Sequence, residues 1–234
     1  DSLEKERGNG AASRNQRLMA IRTFFHFLAK TVPELMHPNE QIQAIKLKRT
    51  EQLPPPSLSV EHVAAILSIP DASTLIGARD KALLQVLYNT GARVQELADC
   101  AVANLKMDAP AAITLTGKGR KTRVIPLWQE TVQSVAHYLQ LREGTGVISP
   151  HLFLNVHDKP MTRFGIGRRV ARLASVAAKG TPAIKAHNVT PHTFRHTTAL
   201  HLIEAGNDIA VVKDWLGHAD IKTTSMYLEV SVER

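Results

Sequence analysis

A chain of 234 residues with 44% hydrophobic content is long enough for a well-packed core and for two domains. Lys and Arg number 29 against 21 Asp and Glu, a formal net charge of +8 with a sequence pI of about 9.8, which favours polyanionic partners. A single cysteine, Cys100, excludes an internal disulfide framework and a multi-cysteine zinc site and fits a reducing cytoplasm; no apolar run approaches the ~18 residues of a membrane span. No signal-peptide pattern opens the chain, and a start at Asp1 rather than Met reads as a fragment or a trimmed chain.

In chain order, residues 13–30 form the first predicted helix. Leu18, Ile21, Phe24, Phe25 and Leu28 make its apolar stripe, with Arg14, Arg17 and Arg22 off it. Together with residues 34–48 it reads as the remnant of a small helical domain, 1–50. The proline-rich "EQLPPPSLS" follows, so 51–57 is the linker and 58–234 the second domain. Ser59 caps a helix over 60–68, and 79–91 is an apolar helix stopped by Gly91. "ARVQELADC" starts another. Two β-rich runs flank a Gly/Lys/Arg turn within 111–127 and predict a hairpin. Helix returns over 129–142, "HLFLN" at 151–155 is a short strand, and 162–178 is a basic helix. Thr190 and Pro191 open a helix to Gly206 whose buried face is Phe194, Leu200, Leu202 and Ile203. Helices over 207–217 and 220–229 close the chain. The fold class is mainly α with a small antiparallel sheet, α+β.

Charge is unevenly spread. From Lys159 to Ile203 there are eight cations and no acid. The run leads into "TPHTFRHTTALHLIEAG", where His192 and Arg195 lie side by side in the first helical turn. That end of a helix already carries partial positive charge and unpaired N–H groups, so the added cations favour an anion rather than the helix.

Metal chemistry fits poorly. His192 and His196 have i, i+4 spacing, but a zinc hydrolase motif requires Glu where Thr193 stands. No G-x-S-x-G occurs, and "TGKGRKT" lacks P-loop spacing. A phosphodiester fits better, because charge spreading over non-bridging oxygens calls for planar cationic donors. Arg195 and Arg93 are such donors, and Arg93 follows the helix stop at Gly91. Lys118 lies on the hairpin tip as a general acid, with Lys121 its rival; His192 and His218 donate hydrogen bonds or shuttle protons. Of three tyrosines, Tyr88 and Tyr138 sit in apolar helices, whereas Tyr227 in "KTTSMY" is the candidate nucleophile. Taken singly, Arg93 also reads as an ion-pair partner of Glu96, His218 as a helix cap and His196 as structural.

These residues resemble the tyrosine recombinase, or phage integrase, family from about residue 57 to 229. "TGARVQEL" is similar to its first arginine motif, which gives Arg93 and the supporting Glu96. "TGKGRKTRVIPL" resembles the hairpin with the catalytic lysine, Lys118. "TPHTFRHTTA" resembles the H-x-x-R box, His192 and Arg195, and "WLGHADIKTTSMY" the closing box, His218 and the nucleophile Tyr227. The resemblance implies site-specific breaking and rejoining of double-stranded DNA through a 3′-phosphotyrosyl bond, with neither metal nor other cofactor, by a homotetramer on DNA that is monomeric or weakly associated without it. It implies a bacterial cytoplasmic, nucleoid-associated protein, on a phage, another mobile element or in chromosome resolution. Arg120, Lys121, Arg123, Arg163, Arg168, Arg169 and Arg172 are candidate DNA contacts. A type IB topoisomerase, with much the same residues, and a non-catalytic DNA-binding remnant are the alternatives.

Overall fold

The computed structural model describes residues 10–50, 56–186 and 189–217. Two compact units divide the chain, Asp1–Leu53 and Pro54–Arg234.

The first unit holds α1 (Ala11–Leu28), a 3₁₀ turn at Pro33–Leu35 and α2 (Met36–Ala44). Of the expected α1 stripe only Leu18 is buried; Ile21 and Phe24 are exposed, because two helices offer too little surface to cover them. Arg22, expected off that stripe, ties the pair together. Its guanidinium donates to the carbonyls of Gln43 (2.8 Å) and Ile45 (2.5 Å), beside the end of α2 where orphan carbonyls need partners.

The second unit carries α3 (Val60–Leu67), α4 (Leu75–Thr90), α5 (Val94–Ala98), β1 (Leu105–Lys106), β2 (Ala112–Thr116), β3 (Thr122–Pro126), α6 (Gln129–Glu143), α7 (Arg163–Gly180), α8 (Pro191–Glu204) and α9 (Ile209–Leu216). Side-chain caps set most of the helix starts: Ser59, Thr74, Thr162, Thr190 and Asp208 each accept a backbone N–H of the following turn. The sheet is antiparallel in the order β1-β2-β3, and in the hairpin Ile113 faces Ile125. Along β3 the alternation is sharp: Ile125 is buried while Val124 is exposed. β1 carries no signal in the sequence because it is only two residues long.

One core runs through this unit, with Leu83, Leu87, Leu97, Ile113, Tyr138 and Phe194 among its buried side chains. The expected strand at 151–155 is not formed; only isolated bridges, Ala101 to His151 and Leu154 to Pro160, occur there. Its backbone groups find other partners. Arg142, itself buried, donates to the carbonyls of Ser149 (2.5 Å), His151 (2.7 Å) and Leu152 (3.2 Å), and the Leu152 N–H donates to Cys100. The apolar run is therefore satisfied by a side chain rather than by a ladder.

Helix α8 is the element that positions the site. It is buried on all sides from Thr193 to Leu200, a wider burial than the one-sided face expected; Leu202 and Ile203 are only partly covered, against α9. Its hydroxyls make that burial tolerable. Thr197 accepts the Leu58 N–H at 2.9 Å, and Thr198 Oγ1 reaches the Tyr88 carbonyl at 2.7 Å.

Candidate active site

The helix stop at Gly91 comes first. Gly91 adopts φ +57°, and a Cβ there would lie 2.5 Å from Leu216 Cδ2. Glycine both allows the left-handed turn and lets the end of α9 close against it. The turn frees the Gly91 carbonyl, which accepts from Arg195 Nη1 at 2.6 Å; Arg195 Nη2 donates to the Leu216 carbonyl at 2.6 Å. Arg195 thus turns inward and is buried, while His192, its neighbour on the helix, is exposed.

Arg93 is the N-cap of α5, and its own backbone N–H donates to Glu96 Oε2 at 2.9 Å. Its guanidinium donates to Glu96 Oε1 at 2.9 Å and to the Gly217 carbonyl at 3.0 Å. The ion pair with Glu96 anticipated for Arg93 is therefore present, and it leaves the arginine 42% exposed. Two arginines distant in sequence fall on consecutive carbonyls, Leu216 and Gly217. The next residue in the chain is His218.

Glu96 is buried, and it also takes a two-pronged contact from Arg123, Nη1 at 3.0 Å and Nη2 at 2.7 Å. Burial alone would raise its pKa, but the Arg123 hydrogen bonds, the Arg93 N–H, the Arg123 charge and the Arg93 side-chain hydrogen bond outweigh that and hold the carboxyl below its ordinary range. Arg123 Nε donates to the Trp215 carbonyl at 2.9 Å. All three nitrogens of its guanidinium bond within the protein. The signal was in the strand period: Arg123 shares its face with the buried Ile125.

Arg169 is also bonded internally. It forms an ion pair with Asp80, which is fully buried and also paired with Arg79 on α4. Arg120, Lys121, Arg163, Arg168 and Arg172 are exposed. Lys118 sits in the 3₁₀ turn of the hairpin, Lys118–Arg120; its side chain, with all of His218 and Tyr227 and the expected helix over 220–229, lies outside the described residues.

His192 and His196 meet edge to face with ring centroids 4.1 Å apart. The His192 pKa is lowered by partial burial and by the charges of Arg195 and Arg93, and that of His196 falls to about 4, from burial and the neighbouring His192 and Arg195. Both rings are neutral at pH 7. Tyr138 is buried, and Tyr88 hydrogen-bonds His201 Nδ1 at 2.8 Å; burial raises both phenols, which makes each a poor nucleophile. Among the described residues no three His, Cys, Asp or Glu side chains converge to hold a metal, and no helix is long and apolar enough to cross a membrane.

The model of the phage integrase family matches residues 56–234. The chain belongs to the phage integrase family. The chain is 34% identical over 223 residues to the tyrosine recombinase XerC of Pelobacter propionicus, covering 95% of this chain and 70% of that protein. It is 32% identical over 235 residues to XerD of Halalkalibacterium halodurans, with coverage of 98% and 75%. It is thus a tyrosine recombinase, an enzyme of site-specific recombination; neither the topoisomerase-like reading nor the non-catalytic one is favoured. Among solved structures, the XerH recombinase bound to palindromic difH substrate, a post-cleavage complex, matches with TM-score 0.80 at 23% identity, covering 100% of this chain and 67% of that one. The Tn1549 transposon integrase in complex with transposon right end DNA matches with TM-score 0.72 at 20% identity, with coverage of 98% and 80%. These two likenesses show the fold, mainly α with one small antiparallel sheet.

Proposed function

We propose that the chain cuts and rejoins duplex DNA by attack of the Tyr227 phenolic oxygen on a backbone phosphorus. The Tyr–O–P bond forms as the P–O5′ bond breaks, leaving a 3′-phosphotyrosyl link and a 5′-hydroxyl. The phenolic proton leaves through His192, which is neutral at pH 7 and so able to accept it. The departing 5′ oxygen takes a proton from the hairpin lysine, Lys118 or Lys121. Arg93, Arg195 and His218 carry the charge of the five-coordinate phosphate. Reversal with a different 5′-hydroxyl joins new partners, and because the ester is exchanged rather than hydrolysed, the scheme uses neither ATP nor metal.

The observation that carries this reading is the meeting of Arg93 and Arg195 on adjacent carbonyls at the end of α9, one residue before His218. Duplex DNA as the partner is supported by the acid-free basic run from Lys159 to Ile203, with Arg163, Arg168 and Arg172 exposed on α7. It is also supported by the transposon right end DNA bound in the Tn1549 integrase complex and the palindromic difH substrate bound by XerH. Residues 1–50 act as the end of a helical clamp on that duplex, joined by 51–57 to the catalytic unit. Four copies acting on two duplexes, assembling on DNA and located at the bacterial nucleoid, complete the proposal.

The test is a nicked suicide duplex pool of random sequence, run on denaturing gels. The parent chain is expected to accumulate a protein–DNA adduct and Tyr227→Phe none. Adducts that persist in Tyr227→Phe, or a parent chain that forms none, would overturn the assignment.

A further inference from the structure

Three consecutive carbonyls at the carboxyl end of α9 each receive a different arginine. Trp215 accepts from Arg123 Nε at 2.9 Å, Leu216 from Arg195 Nη2 at 2.6 Å and Gly217 from Arg93 Nη2 at 3.0 Å. The last carbonyls of a helix lack intrahelical partners and carry its negative partial charge, so cations there are favourable. Of the three arginines only Arg123 also grips Glu96 with both terminal nitrogens. Glu96 in turn fixes Arg93 through its backbone and its side chain. Arg123 therefore touches both halves of the site: the carboxylate that aims Arg93, and the helix end from which the chain runs on toward His218 and Tyr227.

A second contact strengthens the link. Gly217 turns with φ +64°, and a Cβ at that position would meet Arg123 Nη1 at 3.0 Å, Cδ at 3.1 Å and Cζ at 3.3 Å. The Arg123 side chain forms the wall against which the exit turn of α9 packs. Its fork is rigid and planar, so it holds the carboxylate and the helix end in one fixed relation, which a flexible lysine cannot do. Only 12% of the Arg123 side chain is exposed, against 42% for Arg93.

We propose that Arg123 is a positioning residue for strand cleavage: bonded to Glu96 and the Trp215 carbonyl, it sets Arg93 and the α9 exit turn in register, and it makes no phosphate contact. This rests on Arg93, Arg195 and Tyr227 being the cleavage machinery, which adduct formation by the parent chain tests separately.

The experiment compares Arg123→Gln and Arg123→Lys with the parent. Non-covalent duplex affinity is measured against salt in a Tyr227→Phe background, and single-turnover adduct formation is measured at saturating protein, normalised to the folded fraction. The salt slope is expected to stay at the parent value. Adduct formation is expected to fall by about 10-fold to 100-fold in Arg123→Gln, the range for a misplaced catalytic group, with partial recovery in Arg123→Lys, which keeps one contact to Glu96. Should Arg123→Gln fail to fold, a smaller loss of rate without loss of affinity is read from Arg123→Lys. A slope reduced by about one, the signature of a lost phosphate contact, would overturn the proposal. So would an adduct rate per folded molecule equal to the parent's in both variants.

Discussion

Replacing Glu96 by Gln keeps the shape of the side chain and removes its charge. In the native site the carboxylate accepts four donors: the Arg93 N–H, Arg93 Nη1, Arg123 Nη1 and Arg123 Nη2, all within 3.0 Å. An amide offers one oxygen, and its NH₂ must face a guanidinium that has only donors. Removing one partner of a buried ion pair costs about 3–5 kcal/mol. Arg93 is 42% exposed and rehydrates, whereas Arg123 at 12% does not, so a loss of roughly 2–4 kcal/mol is expected. At about 2–4 °C per kcal/mol for a unit of this size, the melting midpoint at pH 7 falls by roughly 5–15 °C. The difference has a defined pH dependence. A carboxyl held below its ordinary range stabilises the fold above that range, and the contribution is lost as pH falls through the folded value. Parent and variant midpoints should therefore draw together as pH falls below the ordinary carboxylate range. Cleavage falls with stability, since Arg93 loses its anchor; deleting a transition-state donor outright costs about 10²–10³ in rate, which is the upper limit here. Thermal denaturation from pH 7 to 3.5 and single-turnover adduct formation provide the assays. A midpoint within 2 °C of the parent at pH 7, with unchanged cleavage, would refute the view that Glu96 holds the two arginines.

Gly91→Ala should lower stability by roughly 2–4 kcal/mol, combining left-handed strain with a clash against Leu216, and should impair cleavage by shifting the carbonyl that holds Arg195; denaturant melts and adduct yields check both. The His196 imidazole titrates at about 4 when folded, so the unfolded chain takes up its proton first and stability is lost as pH falls from about 6.5 to 4, on the order of 2 kcal/mol. His196→Gln should flatten the slope of the melting midpoint over that interval, and an unchanged slope would count against the buried neutral ring. Adduct formation should proceed in EDTA at the rate seen without it, and a loss restored by Mg²⁺ or Zn²⁺ would contradict the direct phosphotyrosyl scheme.

Much of the fold is legible because its signals are local. Ser59, Thr190 and Asp208 cap the helices that follow them, and Gly91 and Gly217 stop helices, each by chemistry confined to a few residues. The hairpin is legible from its two β-rich runs and the glycine turn between them. What is not legible is set by partners distant in the chain. "HLFLN" reads as a strand until Arg142 supplies its hydrogen bonds, and the α1 stripe reads as buried until only Leu18 finds cover. At the site, Arg93 and Glu96 pair across three residues and are visible in sequence; the strand period shows that Arg123 shares a face with Ile125 but not which group it meets, and Arg169 looks like ordinary basic surface. Their carboxylate partners, Glu96 and Asp80, sit on other elements, and no local pattern joins them.

Mapping the covalent bond tests the central claim most directly. After trapping on a suicide duplex and trypsin digestion, the DNA-linked peptide is sequenced by mass spectrometry. Cleavage after Lys222 releases residues 223–234, TTSMYLEVSVER, which contain one tyrosine, Tyr227. The account predicts the nucleotide remnant on that phenol and nowhere else. A remnant on Ser225 or Ser231 of the same peptide, or on the peptides that carry Tyr88 or Tyr138, would contradict it.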